Sequence, residues 1–163
     1  MRQGFLAVCD ALDRLTTAVC MLAGLLLTAA VLVIVVLRYG FGVGFIELQD
    51  GATYAFAVLL IFSLPVCLRR GGHVRVEVLS ERLGPGYTRR ADAVALVVFL
   101  IPVFGLLIWA GWPDLVYSWS IREASMETGG LAGLYLVKTA LPVGAALMIL
   151  QGIAMALEPG ARE

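Results

Sequence analysis

Four long apolar stretches, separated by short polar segments, divide this chain of 163 residues. They cover residues 15–37, 50–68, 92–113 and 131–157. Each is close to or above the length of about 20 residues that an α-helix needs to cross the hydrocarbon core of a bilayer. The pattern predicts an all-α membrane protein with four transmembrane helices, folded as a single domain over residues 1–163.

The first stretch could be mistaken for a signal peptide. Its uncharged run of 23 residues is longer than the core of about 7–15 residues that a signal peptide has. Arg38 and Tyr39 follow this run, where a signal peptide would have small residues before its cleavage site. We therefore expect the first stretch to be retained as a membrane anchor.

Composition supports the membrane class and excludes others. Hydrophobic residues make up 61% of the chain and charged residues 15%, whereas a soluble domain has about 25% charged residues. The formal net charge is zero, so the chain has no bulk attraction to nucleic acid. Lipids are therefore expected as its surroundings, and nucleic acid is not expected as a partner.

The basic residues predict the orientation. Six of the twelve Lys and Arg residues lie between the second and third stretches, and short basic loops stay on the cytoplasmic side of a membrane. Both termini are then cytoplasmic, and the segments 39–50 and 114–130 face the other side. The six basic residues are Arg69, Arg70, Arg75, Arg82, Arg89 and Arg90.

The same basic segment is expected to contain a short helix. Val76, Leu79, Leu83 and Tyr87 recur at helical spacing, and a Gly-Pro-Gly sequence then ends the pattern. An apolar face opposite charged residues is typical of an amphipathic helix that lies in the headgroup plane. We predict such an interfacial helix in the cytoplasmic loop between the second and third spans.

The residues that usually carry catalysis or bind metal give no pattern here. Cys9, Cys20 and Cys67 form no Cys-x-x-Cys pair, so neither a disulfide nor a metal site is predicted. His73 is the only histidine, which excludes haem ligation by two histidines, and we interpret it as a structural loop residue. No catalytic residue, cofactor site or metal site is predicted.

Lys138 is the charged residue that most needs an explanation, because it lies inside the fourth apolar stretch. An ammonium group at the centre of a membrane costs about 2.5–3.5 kcal/mol. Three interpretations remain open: an interfacial anchor that extends its ammonium to water, a buried pair with Asp50 or Glu47, and a role in a proton relay or a substrate site. Arg38 brackets the same turn as these two acids, and Asp50 would also be favoured there by the helix dipole.

Short motifs at the ends of the stretches carry a family resemblance. They are RYGF at 38–41, Gln49-Asp50, LRRGGHVRV at 68–76, and GGL at 129–131 followed by Lys138 and PVG at 142–144. In this order they resemble the DctQ-type small membrane subunit of tripartite ATP-independent periplasmic (TRAP) transporters. Many relatives have two consecutive acids where this chain has Gln49 and Asp50. The candidate structural and assembly residues are Arg38, Gln49, Asp50, Arg69, Arg70, Gly72, His73, Lys138 and Pro142.

The resemblance implies a function and partners. It implies a multi-pass protein of the bacterial inner membrane that acts as a scaffold in a sodium-coupled secondary importer of organic acids. The expected partners are a large multi-span membrane subunit, which carries the substrate and sodium sites, and a periplasmic solute-binding protein. The small subunit itself is expected to have no enzymatic activity and to bind no solute.

Two other functions remain as alternatives. The first is a membrane-anchor subunit of a membrane-bound enzyme complex, although the single histidine argues against its haem-binding form. The second is a stand-alone carrier or channel. Carriers usually show several intramembrane polar residues and internal repeats, and neither is found in this sequence.

Overall fold

A computed structural model of the chain describes residues 2–71 and 94–157. Within these residues the secondary structure is helical, apart from one antiparallel bridge between Ala124 and Ala132. Four helices in the described part are long and apolar enough to cross a membrane, which confirms the predicted number of spans. The helices are α1 (Arg2–Gly40), α2 (Ile46–Arg69), α3 (Ile101–Ser120), which continues from a π-helical turn at Leu96–Leu100, and α4 (Leu134–Leu157).

Two helices continue well beyond one end of the apolar stretches that predicted them. α1 begins at Arg2 rather than at residue 15, and α3 continues to Ser120 rather than ending at residue 113. Hydropathy marks the part of a helix that lies in hydrocarbon, while the hydrogen-bonded helix can continue into the polar interface. The 39 residues of α1 correspond to a length of about 58 Å, almost twice the thickness of the hydrocarbon core.

Several predictions concern residues outside the described part. The interfacial helix between the second and third spans falls within residues 72–93, and so do Gly72 and His73. These remain predictions. The described part of the basic segment ends at Gly71, which closes α2 with a left-handed backbone conformation (φ +66°) and an N–H bond to the carbonyl of Leu68.

The helices are arranged laterally in the order α1, α2, α4, α3. α1 packs on α2, α2 on α4, and α4 on α3, with a lighter contact between α1 and α4. α4 is therefore the central helix, and its small residues face its neighbours while α1 and α3 form the edges. The buried residues of α4 are Ala140, Gly144, Ala145, Leu147, Met148, Gln151, Gly152 and Ala154.

Close contact between α2 and α4 depends on Gly144. A Cβ atom built at this glycine would overlap the side chain of Ile61 on α2 and lie 3.4 Å from its carbonyl oxygen. Small residues at helix interfaces allow two backbones to approach in lipid, where packing rather than a hydrophobic driving force joins helices. Gly144 thus sets the separation of the two helices at the centre of the bundle.

Polar contacts join the helices at the end that holds the start of α1 and the ends of α2 and α4, called here the termini end. Arg69 forms an ion pair with Asp10 at 2.5 Å, and Arg70 donates a hydrogen bond to the hydroxyl of Thr17 at 2.9 Å. Both contacts fix the last turn of α2 against α1.

α4 is also fixed to α1 at the termini end. The fully buried side chain of Gln151 donates from Nε2 to the carbonyl oxygen of Cys9 at 3.0 Å. The guanidinium group of Arg2 donates to the carbonyl oxygen of Leu157, which is one of the free carbonyls at the end of α4. The start of α1 is thus part of the bundle rather than a free extension.

Candidate functional site

The opposite end of the bundle, called here the loop end, holds the α1–α2 and α3–α4 connections. It is organised by the way α3 ends. Arg122 has a left-handed backbone conformation (φ 48°). Its N–H bonds to the carbonyl of Trp119, and the N–H of Glu123 bonds to the carbonyl of Ser118. This is a Schellman motif, and it turns the chain back so that Glu123 lies beside the last turn of α3.

Lys138 lies at the centre of a charge cluster that this turn completes. Its Nζ atom donates to Asp114 Oδ2 at 3.1 Å and to Ser118 Oγ at 3.0 Å, and it lies 2.7 Å from Glu123 Oε2. Asp114 and Ser118 are four residues apart on α3, so they share one face of that helix. We call Asp114, Ser118, Glu123 and Lys138 the lysine cluster.

The electrostatics of the lysine cluster are asymmetric. The side chain of Glu123 is 23% exposed and that of Asp114 is 66% exposed, so the glutamate is the more enclosed partner. The hydrogen bond from Lys138, and next the one from Ser118, hold the pKa of Glu123 below its ordinary value. Two carboxylates share one ammonium group, which leaves the cluster with one net negative charge.

Of the three interpretations of Lys138, the pairing with Asp50 or Glu47 is wrong. The structure pairs the lysine with Asp114 and Glu123 rather than with Asp50 or Glu47. The physical reason is the lateral order of the helices, because α4 presents Lys138 to α3. The lysine side chain is 30% exposed, so it is an ion-pair partner between two helices and not only an interfacial anchor.

Asp50 binds main chain instead. Its Oδ2 atom accepts a hydrogen bond from the N–H of Leu131 at 2.8 Å. The carbonyl of Leu131 in turn accepts from the hydroxyl of Tyr54 at 3.0 Å and from the N–H of Ser125 at 3.1 Å. Both main-chain polar groups of Leu131 are therefore satisfied, and α2 holds the loop that leads into α4.

The close surroundings of residue 130 explain why a glycine precedes Leu131. A Cβ atom at this position would lie 2.5 Å from Asp50 Oδ2 and 2.5 Å from the Cβ atom of Ser125. Real Cβ atoms do not approach other atoms so closely. The loop can therefore contact the Asp50 carboxylate only because residue 130 has no side chain.

Aromatic contacts support the junction of α3 and α4. Trp119 Nε1 donates to the hydroxyl of Thr139 at 3.0 Å, and its ring meets that of Tyr135 edge to face at a centroid distance of 4.8 Å. An indole group that is apolar on one side and hydrogen-bonded on the other is typical of membrane interfaces.

A cleft between α3 and α4 begins at the lysine cluster. Its walls include Leu107, Gly111 and Trp112 from α3 and Leu141 and Pro142 from α4, and Asp114 and Lys138 lie at its loop end. Pro142, a residue of the sequence motif, is thus one turn beyond Lys138 on the wall of this cleft. We refer to it as the α3–α4 cleft.

The structure does not bring all candidate residues together. Arg38 is exposed in the last turn of α1, and Gln49 is exposed in the first turn of α2. Arg69 and Arg70 are at the termini end, about 30 Å from Asp50 along α2. The candidates are therefore divided between the two ends of the bundle, and their role as assembly residues remains a prediction.

Sequence reasoning gave no functional weight to several residues that hold the bundle together. Tyr54, Asp114, Ser118, Glu123 and Gln151 all make contacts between segments distant in the chain. Two signals were present in the sequence. Asp114 and Ser118 have the spacing of one helix face, and Gln151 is a lone amide in an apolar run, which needs a hydrogen-bond partner in the membrane.

The polar contacts described at both ends of the bundle are contacts within this chain. Across residues 2–71 and 94–157, the polar contacts described above join helix to helix or helix to loop. This arrangement defines the class: a four-helix membrane protein whose helices are held together by polar contacts at both ends of the bundle.

Comparison with known families gives the particular group. A family model for tripartite ATP-independent periplasmic transporters, DctQ component, matches residues 27–160. The chain therefore belongs to this family and is a small permease subunit of a TRAP transporter. A search of curated proteins gave no match. The matched range includes the Asp50 contact, the lysine cluster and the α3–α4 cleft, while the start of α1 precedes it.

Proposed function

We propose that this chain is the scaffold subunit of a sodium-coupled secondary importer of organic acids in the bacterial inner membrane. It associates with the large multi-span membrane subunit, which carries the solute and sodium sites, and works with a periplasmic solute-binding protein. Membership of the DctQ family, over most of the chain, is the observation that carries this proposal. The family also favours a transporter over the membrane anchor of an enzyme complex.

The contacts of the described residues support the scaffold role. The charged groups Lys138, Asp50, Arg69 and Arg70 each bind another segment of the same chain. A carrier needs polar groups that are available to solute or ions and helices that move apart. Here these polar groups serve to fix the helices to one another, which suits a part of the transporter that does not move.

The proposed orientation places the termini end in the cytoplasm and the loop end in the periplasm. Arg2, Arg14, Arg69 and Arg70 all belong to the termini end, whereas the α3–α4 connection at the loop end carries more acids than bases. The bias of basic residues towards the cytoplasm supports this orientation.

The test is reconstitution of the chain with and without its partners. Liposomes that contain this chain alone, the large subunit alone, or both are given the solute-binding protein, radiolabelled organic acids and an inward sodium gradient. We expect saturable uptake only when both membrane subunits are present. Sodium-dependent uptake by this chain alone would disprove the scaffold role, and purification of the chain with a redox or hydrolytic subunit would support the enzyme anchor.

A further inference from the structure

Asp114 is an exposed carboxylate near the loop end of α3. It lies six residues before Ser120, the last residue of α3, which places it about 9 Å inside the end of that helix. Its side chain is nevertheless 66% exposed on the outside of the bundle. Asp114 follows directly on the third apolar stretch, which ends at residue 113, so it lies where α3 leaves the hydrocarbon. Although it pairs with Lys138, most of its carboxylate is open to a charged group on a neighbouring membrane protein.

The charge balance of the lysine cluster identifies the chemistry of that partner. Lys138 is shared by Asp114 and Glu123, and the shorter distance is to the glutamate, 2.7 Å against 3.1 Å. The cluster therefore carries one net negative charge, and Asp114 is its more exposed carboxylate. A group that completes this site must carry a positive charge, while an anionic group would be repelled.

The α3–α4 cleft next to Asp114 indicates what kind of molecule the partner is. Its walls are apolar, and Trp112 and Leu141 are exposed at its mouth. It lies between two membrane-spanning helices, below the α3–α4 loop, so a soluble protein docked on the loop end would not enter it. The shape and chemistry suit apolar side chains from another membrane helix.

We propose that the α3–α4 cleft and Asp114 form the surface on which the large membrane subunit docks. A transmembrane helix of that subunit places apolar side chains in the cleft and a guanidinium or ammonium group on Asp114. The inference rests on the proposed function, because it takes the large subunit as the partner. It assigns the contact to the α3 edge of the bundle rather than to the α1 edge.

A photocrosslinking experiment tests which edge is in contact. p-Benzoylphenylalanine is introduced at Leu141, on the cleft, and in a matched control at Leu32, an exposed leucine of α1. Each variant is co-expressed with the large subunit and irradiated in native membranes. We expect a crosslink to the large subunit from position 141 and none from position 32.

The other outcomes separate the two proposals. Crosslinking from position 32 alone, or only lipid adducts at position 141, would overturn the docking surface while the proposed function stands, provided that the subunits still purify together. Failure of the unsubstituted chain to purify with the large subunit would overturn both.

A charge-removal experiment tests the role of Asp114. Asp114→Asn leaves the Lys138–Glu123 pair in place, so the isolated variant is expected to melt close to the unsubstituted protein. The amount of large subunit that purifies with it should fall about tenfold, as when a charge pair at an interface loses one member. Glu127→Gln, which removes an acid from the nearby loop, should leave the yield unchanged.

Two results would contradict the role of Asp114. The first is an unchanged yield of the large subunit with Asp114→Asn. The second is an equal loss with Glu127→Gln, which would show a general effect of charge rather than a specific contact. A variant that fails to fold is recognised by the melting temperature of the isolated protein. In that case the crosslink from position 141 tests whether the α3–α4 cleft contacts the large subunit.

Discussion

Asp50 Oδ2 lies 2.8 Å from the main-chain nitrogen of Leu131 and accepts its hydrogen bond. The two residues are separated by 81 positions in the chain, and the contact joins the N-terminal part of α2 to the loop that precedes α4. A side chain that binds main chain fixes the path of the loop whatever the side chain at position 131 is. One carboxylate at position 50 therefore holds the loop three residues before α4 begins at Leu134.

Two replacements of Asp50 distinguish the contribution of its hydrogen bond to stability from the contribution of its charge. Asp50→Ala removes the acceptor and should reduce the free energy of unfolding by about 1 kcal/mol. Asp50→Asn keeps a carbonyl acceptor and should lose less than half of that. The measurement is thermal unfolding of the protein in mild detergent, with Glu47→Ala as the control for loss of an exposed acid. Equal losses for the Ala and Asn variants would show that the charge, and not the hydrogen bond, matters.

The assignment of partners to Lys138 can be tested by double-mutant cycles. Lys138→Met leaves the carboxylates of Asp114 and Glu123 facing each other and should lower the melting temperature. Adding Glu123→Gln relieves this repulsion, so the two changes should be clearly non-additive. Lys138→Met and Asp50→Asn have no shared contact and should add within about 0.5 kcal/mol. Strong coupling to Asp50 together with additivity at Glu123 would contradict the geometry.

Stability should depend on pH through Glu123. The hydrogen bond from Lys138 lowers the pKa of this glutamate in the folded protein below its ordinary value of 4.5. Its contribution to stability is therefore complete above pH 4.5 and is lost as the pH falls further, through the lower folded pKa. Melting temperatures of the unsubstituted protein and of Glu123→Gln should converge on acidification below that value. A constant difference between them across the acidic range would contradict the prediction.

The central contact between α2 and α4 predicts a contrast between two glycines. Gly144→Ala places a methyl group against Ile61, and such overpacking costs about 1–3 kcal/mol. Gly105→Ala, in α3, meets no atom within 4 Å and serves as the matched control for helix propensity. Unfolding in detergent should show a loss for the first variant and none for the second. A neutral Gly144→Ala would mean that α4 can shift away from α2 without cost.

Orientation can be measured with an impermeant thiol reagent on intact spheroplasts. Cys9, Cys20 and Cys67 are first replaced by alanine, and one cysteine is then introduced at Met126 or at Ser80. Met126 is 96% exposed in the α3–α4 loop and should react from outside, whereas position 80 should react only after permeabilisation. Labelling of position 80 alone in intact spheroplasts would reverse the proposed topology.

The number of spans could be predicted because each span is a run of apolar residues that can be read directly from the sequence. The residues at which the helices begin and end could not be predicted in this way. α3 continues to Ser120 because its last turns contact Lys138 and Thr139 of α4. These last turns lie beyond the apolar run that marks the span. The start of α1 is similarly held by contacts to the distant residues Gln151 and Leu157.

The partners of the charged residues could not be predicted for a related reason. Asp50 and Lys138 both lie near the loop end, so their pairing was plausible from position along the spans. Which charges meet depends on which helices are neighbours, and one sequence does not contain the lateral order α1, α2, α4, α3. The segment 114–130 contains the correct acids, Asp114 and Glu123, but nothing in the linear pattern distinguishes them from Glu47 and Asp50.

The central position of α4 has a consequence for how the protein is made. α4 lies between α2 and α3 in space but follows both in the chain, so it is synthesised after them. Until α4 leaves the ribosome, the α1–α2 hairpin and α3 have no common helix on which to pack, and neither Gln151 nor Lys138 exists to complete the contacts at either end. A chain that stops before residue 134 would thus leave the α1–α2 hairpin and α3 without the helix that joins them.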